Sequence, residues 1–532
     1  MKINRENIFF STLLVLSSLF FALSYNFETR GLVEGTIQSG IINYPNEFNL
    51  FRDISINAWS LPIQIISILV KANISPVIIS MIVIFISTLI FFAGVFIITR
   101  SLTHSSILAF LVSFLVVLLK KHFGHLDYPT MMFSEHTNGL MAQAISTLVF
   151  ALLINNNLKL SFFLSGLLIS VHFTVGLWLN FIILLTLILR FKRYKNIVFN
   201  KQIFIYFFLG LSVTLLSFYL SLAQKMPINF NFDIEAYKTY MRVWEDHRTA
   251  WGLYSNWINY DYIAKTLILI LLISVYLKTR ITQNNLDFGI NILLISVILS
   301  LFVYIAYKYF YFLFPDIIVR VMPTRFFLLH SIIGWPVIFS ILYVLLKSAI
   351  KKFYFKNNYI HFLFVLIIII NLVQHNYNFI ERYNGIKSNF LINNKVDKED
   401  EFWNLIKKTE IDGFYLTSTT DNICLKTVAI AKKPVFTCPE TLNFIPYYPK
   451  TVGPAKKIVE EIFDMSFNNP KIKNMGGIHQ KDLKVSYENK SYENWINLKN
   501  NYYIKGLIVP KKWNINLKVF FSNGDYSFYV IE

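Results

Sequence analysis

The sequence predicts an α-helical polytopic membrane protein with about eleven spans and a C-terminal α/β domain. Of its 532 residues, 55% are apolar, 17% aromatic and only 15% charged, which is far from the average of soluble domains. Charge-free runs recur at roughly the 20-residue length that a helix needs to cross a bilayer. After about residue 376, apolar runs shorten and helical and strand patterns alternate. We therefore expect a transmembrane module over 1–376 and a separate domain over 377–532.

The charge-free runs mark the expected transmembrane helices. The first follows a short basic segment as a signal peptide would, but no small-residue cleavage site comes after it, so we expect a retained helix. The interval 160–189 has no charge apart from His172 and is too long for one ordinary span. A single crossing would put the basic stretch 190–195 outside, so the positive-inside rule favours two short helices. The candidate spans are 8–24, 75–98, 104–119, 138–154, 160–173, 176–189, 203–223, 262–277, 288–307, 326–346 and 358–374.

The distribution of charge predicts the orientation of the chain. The expected cytoplasmic segments hold fifteen Lys and Arg against two acids, whereas the expected external loops hold twelve of each. This asymmetry indicates a cytoplasmic N-terminus and an extracytoplasmic C-terminal domain. The net charge of +19 is thus a sign of topology, and we expect no nucleic-acid partner, because acids balance the external basic residues.

The C-terminal domain shows both helical and strand patterns. Residues 400–410 are typical of a helix, 413–419 and 434–438 of strands, and the end of the chain of a hairpin turning at Asn523-Gly524. Its sequence has no Gly-rich phosphate-binding loop, no Cys and His residues at metal-ligand spacing, and no nucleophile elbow. This favours a role as a lid or as a docking domain over a catalytic role. Cys424 and Cys438 both lie here, and either a disulfide or two buried thiols would fit.

Four external loops carry interleaved acids and bases. The first, 25–53, contains four carboxylates, and the stretch 46–70 that overlaps its end predicts an amphipathic helix in the membrane interface with Trp59 at headgroup level. The others cover 120–139, 225–261 and 307–327. Acids and bases are thus mixed on one side of the membrane. This arrangement suits a lipid-linked phosphosugar as substrate, because basic side chains can bind its phosphate while a carboxylate deprotonates an attacking hydroxyl.

Specific residues follow from this chemistry. Glu34, framed by Gly31 and Gly35, is our candidate general base, because an unpaired charge close to the membrane is costly unless it has a function. Glu28 and Asp53 are alternatives, although each has a neighbouring arginine with which to pair. The candidate phosphate-binding residues are Arg320, Arg325, His172, Lys120 and Arg242.

A divalent cation is a possible cofactor, with Asp127 and Glu135 as candidate ligands, but no spacing demands one. Simpler interpretations stay open for every candidate. The loop acids would be solvated, the arginines would anchor the chain at the membrane boundary, and His172 would be a buried, hydrogen-bonded histidine.

Several segments together resemble the polytopic glycosyltransferases of the C superfamily (GT-C). They are "GLVEGTIQSGIINYP", "EHTNGLMAQAISTLVFALLINN", "SGLLISVHFTVGLW" and "RVMPTRFF", and the layout of external loops and a C-terminal external domain is similar. The resemblance implies a polyprenyl-phosphate sugar donor, an Asp or Glu of the first external loop as base, and phosphate binding by basic residues of later loops. The paired acids usual in that superfamily are absent, since Glu28 and Glu34 are six residues apart.

The expected function is therefore transfer of a sugar from a polyprenyl-phosphate donor to a glycan, lipid or protein acceptor at the outer face of the membrane. A lipid-linked glycan flippase or transporter is one alternative, but it would be expected to carry charges or breaks in the middle of several spans. An O-antigen-type polymerase or ligase and an assembly factor are the others.

Overall fold

A computed structural model describes most of the chain. The described residues are 5–24, 31–118, 138–228, 230–245, 260–279, 286–310, 313–315, 317–318, 321, 326–351, 362–363, 365–367, 369–370, 380, 383–387, 394–418, 423–468 and 480–532.

The N-terminal part is a bundle of apolar helices. Three helices in the described part are long and apolar enough to cross a membrane, or up to five if each of two bent pairs counts as one span. The predicted count of eleven is therefore not confirmed, because several of the other apolar helices have only 10–17 residues. The predicted span 358–374 lies largely outside the described residues. The bundle helices are α1 (Arg5–Ser24), α5 (Pro76–Thr103), α6 (Ser106–Leu118), α7 (Asn138–Ile154), α8 (Leu158–Val171), α9 (Phe173–Leu189), α10 (Phe191–Val198), α11 (Lys201–Leu222), α13 (Tyr260–Thr279), α14 (Leu286–Phe310) and α15 (Phe326–Lys351).

The core of the bundle is apolar and its helices approach closely. Helix α5 packs against α1, α6 and α7, while α8 packs against α7, α9 and α11. A Cβ added at Gly94 of α5 would lie 2.9 Å from the Thr147 side chain of α7. Buried hydroxyls donate back to carbonyls of their own helix, as Ser146 Oγ does to Ala142 O at 2.8 Å. These bonds satisfy polar atoms that the core would otherwise leave without partners.

The interval 160–189 forms two helices, as predicted. Helix α8 ends and α9 begins at His172, whose backbone is extended. The Asn180 side chain of α9 donates to Ser165 O of α8 at 2.8 Å, and Gly176 lies directly against Ile169. The two helices therefore fold back on each other as an antiparallel hairpin.

The segment that follows the first span departs from the prediction. Instead of one amphipathic helix it forms α3 (Leu50–Asn57) and α4 (Leu61–Lys71), which are bent by 109°. The break has a local cause, because Pro62 has no backbone N–H and is tolerated only in the first turn of a helix. A shorter helix, α2 (Gly31–Gln38), precedes them.

Contacts between distant segments define two ends of the bundle. At the first end, Ser60 Oγ donates to Val171 O, Asn57 Nδ2 to Met226 O and Trp178 Nε1 to Val321 O. At the opposite end, Arg193 pairs with Asp287, and Ser101 contacts Asn155. In the described part of the chain, segments that contact the C-terminal domain, such as α2, α3 and α12 (Ile234–Val243), lie at the first end.

The C-terminal domain contains a four-stranded sheet with helices around it. In spatial order the strands are β1 (Phe414–Thr417), β2 (Ile504–Pro510), β4 (Tyr526–Val530) and β3 (Val519–Ser522). β1 is parallel to β2, and the other neighbouring pairs are antiparallel. The hairpin predicted at the end of the chain is present, and Asn523 Oδ1 accepts from the backbone of Asp525 and Tyr526 in its turn. The elements are α16 (Asn394–Lys408), β1 (Phe414–Thr417), α17 (Ile423–Ala429), α18 (Val452–Lys457), α19 (Gln480–Glu488), α20 (Tyr492–Tyr502), β2 (Ile504–Pro510), β3 (Val519–Ser522) and β4 (Tyr526–Val530).

Two strand assignments differ from the sequence expectation. The predicted strand 434–438 is reduced to a single parallel bridge between Val435 and Tyr415. Strand β2, which pairs on both sides, was not predicted. Its pattern of Ile and Val is short, and only tertiary contact distinguishes a central strand of this length from a buried loop.

Candidate functional site

The short helix α2 lies between the bundle and the C-terminal domain. Its residue Leu32 packs with Ile66 of α4 and Leu425 of α17. On the other side, Ile37 packs with Val428 of α17 and with Cys424. Apolar contacts on two faces fix α2, and its remaining face carries Glu34 and Gln38.

Glu34 and Gln38 share that remaining face, because they are four residues apart on a helix. Gln38 Nε2 donates to Ala58 O at 2.7 Å and to Ser55 O at 3.0 Å, which attaches α2 to the corner between α3 and α4. The Glu34 side chain is half-buried, and its Oε2 atom is shielded from solvent. A carboxylate in this position is partly protected from water, which suits a general base.

Asp53 has a different environment from Glu34. Its Oδ1 atom lies 2.9 Å from Arg52 Nε, and both side chains are mostly buried. Arg52 also donates to Pro45 O at 3.1 Å, and its guanidinium lies 5.9 Å from the centre of the Tyr44 ring. Asp53 thus takes part in a local ion pair, as the simpler interpretation of this residue expects.

Tyr44 and Asn49 attach this loop to the C-terminal domain. Asn49 begins α3, where its Oδ1 accepts from Arg52 N, and its Nδ2 donates to Val435 O at 3.0 Å. Burial raises the pKa of the Tyr44 hydroxyl, while the nearby Val435 backbone and the Arg52 charge act in the opposite direction. These two residues therefore attach the start of α3 and the segment before it to the C-terminal domain, while residues 46–48 of the same loop are exposed.

His172 forms the cap at the tip of the α8–α9 hairpin. Its Nδ1 atom accepts from Val175 N at 3.5 Å and lies 3.1 Å from Thr174 Oγ1. These contacts give the half-buried ring a structural task, in agreement with the simpler of the two interpretations. The hairpin tip adjoins the start of α4 through the bond from Ser60 to Val171.

Arg242 lies on α12, and its side chain is exposed. The opposite face of this helix packs on the C-terminal domain through Tyr237 and Tyr240. Arg242 is thus at the same end of the bundle as Glu34, but on the outer surface of its helix.

The remaining candidates lie outside the described residues. These are Glu28, Lys120, Asp127, Glu135, Arg320 and Arg325. The described residue next to Arg320 in the sequence is Val321, whose carbonyl accepts from Trp178 Nε1 at 2.7 Å. Among the described residues, no group of three His, Cys, Asp or Glu side chains could hold a metal ion.

One feature of this region escaped the sequence analysis, and another answers a question that it left open. Glu245, only 1% exposed, lies 3.3 Å from the Tyr240 hydroxyl, which also approaches Leu442 O at 2.7 Å. Cys424 and Cys438 form a disulfide with a Cα separation of 6.1 Å, so the question that the sequence left open is decided. Burial of an acid in a polar loop leaves no local signal, because it depends on what packs over the loop.

No protein-family model matches the chain, and no curated protein matches its sequence. Its function is therefore argued from the geometry of this region.

Proposed function

We propose that the protein is a membrane glycosyltransferase that moves a sugar from a polyprenyl-phosphate donor to a glycan, lipid or protein acceptor. The observation that carries the proposal is the position of Glu34, a half-buried carboxylate on a helix clamped between an apolar bundle and a polar domain. A lipid-linked donor approaches from the bundle, and a water-soluble acceptor from the domain. The outer face of a bacterial cytoplasmic membrane is the location that fits this chemistry.

The proposed reaction is a direct displacement. Glu34 takes the proton from the acceptor hydroxyl, and the hydroxyl oxygen forms a bond to the anomeric carbon of the sugar. The bond from that carbon to the phosphate oxygen breaks, and polyprenyl phosphate leaves with the bonding electrons. Basic side chains near the interface stabilise the leaving phosphate through charge-assisted hydrogen bonds.

The C-terminal domain acts in this proposal as a cover over the acid-bearing loop. Its Tyr448 hydroxyl donates to Asn57 O at the end of α3 at 2.7 Å, and burial raises the pKa of Tyr448 to about 12. The hydroxyl thus stays protonated at neutral pH. By holding α2 and α3, the domain fixes the orientation of Glu34 and restricts water, both of which favour transfer over hydrolysis.

Glu34→Gln tests the proposal. The amide keeps the shape of the side chain but cannot accept the proton, so transfer in membranes supplied with polyprenyl-phosphate sugars should fall by about 10²–10⁴-fold. Asp53→Asn is the matched control, because Asp53 is an acid of the same loop that is already ion-paired. Full activity of Glu34→Gln would remove Glu34 as the base. Absence of transfer by the wild type, together with movement of the lipid between leaflets, would favour the transporter alternative.

A further inference from the structure

The core of the C-terminal domain includes side chains from much earlier in the chain. One contiguous apolar cluster contains residues of β1, β2, α18, α19 and α20. The same cluster contains six side chains of α3, of α12 and of the residue that follows α12, and each of them is at most 5% exposed. These six are Leu50, Ile54, Ala236, Tyr237, Tyr240 and Trp244. The domain and the two helices therefore share one core.

Helix α12 buries one of its faces in this shared core. Ala236, Tyr237 and Tyr240 occur at helical spacing and are buried, and α12 packs against α18. Lys238, on the other face, is exposed and pairs with Glu235 at 2.8 Å. A helix of 10 residues is only marginally stable in water by itself. Packing on the domain is therefore what stabilises α12.

Two hydrogen bonds join the α12 segment to backbone carbonyls of the domain. The Tyr240 hydroxyl donates to Leu442 O at 2.7 Å, and Trp244 Nε1 donates to Phe467 O at 2.8 Å. The Trp244 ring also stacks on the Phe467 ring, with 5.7 Å between the ring centres. Both donor side chains are buried, so these bonds lie inside the shared core and fix the position of α12 on the domain.

Helix α3 contacts the domain at its start, in its middle and at its end. At the start, Asn49 Nδ2 donates to Val435 O at 3.0 Å. In the middle, Ile54 is fully buried in the shared core. At the end, the Tyr448 hydroxyl donates to Asn57 O at 2.7 Å. The whole length of α3 is therefore attached to the domain.

The character of this interface decides whether the domain can open as a lid. Two domains are expected to move relative to each other unless the interface between them is large and hydrophobic. Here the interface is part of an apolar core, and it includes three large aromatic side chains, Tyr237, Tyr240 and Trp244. Exposing several such side chains to water costs a free energy comparable to the whole stability of a domain. Opening would therefore amount to unfolding.

We infer that the C-terminal domain, α3 and α12 form a single folding unit that stays closed while the protein works. The domain is thus a fixed wall of the structure and not a hinged lid. Helix α2 packs on α17 of the same domain through Leu32 and Ile37, so a ligand reaches the side of α2 that carries Glu34 without movement of the domain. The inference does not rest on the proposed function, because it concerns contacts within the chain alone.

Amide hydrogen exchange of the intact protein in detergent tests the inference without any substrate. An amide exchanges when the structure around it opens, and segments that unfold together exchange together. We expect the α12 amides of residues 240–243 to be protected to within about tenfold of those of β2, and both sets to lose protection over the same range of urea concentration. Exchange of α12 more than about tenfold faster than that of a still protected β2 would show that the domain separates from α12 while folded. That result would overturn the inference.

Tyr237→Ala and Lys238→Ala are a matched pair, because they are neighbours on opposite faces of α12. Tyr237→Ala removes part of the shared core, so it should speed exchange in β2 and β4 as much as in α12, by about tenfold or more. Lys238→Ala should leave all three unchanged. Faster exchange confined to α12 in the Tyr237 variant would show that α12 and the sheet fold separately.

Tyr240→Phe keeps the test decisive if Tyr237→Ala does not fold. It removes only the hydroxyl that bonds to Leu442 O, so exchange in α12, β2 and β4 should rise together by about two- to tenfold. A rise in α12 alone would contradict the single folding unit.

Discussion

Gly35 of α2 lies directly against Ile66 of α4. A Cβ added at Gly35 would be 2.6 Å from Ile66 Cγ2 and 3.2 Å from Ile63 O, both closer than normal contact. The absence of a side chain at this position therefore sets the distance between the helix of Glu34 and the start of the bundle. This is a packing reason for a glycine beside the candidate base.

Gly35→Ala should destabilise the protein by about 1–3 kcal/mol, the usual cost of overpacking. Because α2 must move to relieve the clash, transfer activity should fall as well. Thermal unfolding in detergent measures the first effect. Gly453→Ala is the control, since a Cβ there meets nothing within 4 Å, and it should leave stability unchanged or slightly raised. Equal stabilities of the two variants would contradict the packing argument.

The ion pair between Arg193 and Asp287 predicts an asymmetric effect of mutation. The Asp287 side chain is 4% exposed and that of Arg193 is 48% exposed. Arg193→Gln leaves a buried carboxylate without its cation, so the free energy of unfolding should fall by about 3–5 kcal/mol. Asp287→Asn leaves a cation that water can solvate, so the free energy of unfolding should fall by only about 1 kcal/mol or less. Unfolding temperatures of both variants in one detergent check this, and the reverse order would contradict it.

The disulfide between Cys424 and Cys438 should stabilise the contact of α17 with α2. It closes a loop of 14 residues. By restricting the unfolded chain, a loop of this length should raise the free energy of unfolding by about 3 kcal/mol. Reduction should lower the unfolding temperature of the wild type but not that of the Cys424→Ala/Cys438→Ala double variant. Alkylation of both cysteines in unreduced, unfolded protein would show that the bond does not form.

The two ends of the bundle should lie on opposite sides of the membrane. A reporter fused after Glu532 or after Lys225 should be active only outside the cytoplasm, and one fused after Lys195 only inside. The reason is the excess of Lys and Arg in the segments that include 190–195. An active cytoplasmic reporter after Glu532 would reverse the proposed orientation of the domain.

Local sequence was enough to locate the helices of the bundle. In lipid, a helix satisfies every backbone group within its own segment, so a charge-free run carries its own signal. The break at His172 and the hairpin turn at Asn523 are equally local, since a cap and a turn depend on neighbouring residues. The number of membrane crossings could not be predicted from the sequence in the same way, because a helix of 10–17 residues can be either a span or a buried core helix.

What the sequence by itself determined is therefore the apolar helices, the presence of strands toward the C-terminus, and the cluster of acids in the first loop. Only the tertiary structure decided how those acids differ. It left Glu34 half-buried on a helix that packs on α4 and α17, and it attached the loop to the C-terminal domain by bonds such as that of Asn49 to Val435, which are 386 residues apart. It also joined Trp59 to Phe218 across 159 positions of the chain. The physical reason is that the burial of a side chain depends on which distant segments pack against it, and a local pattern of residues does not predict those contacts.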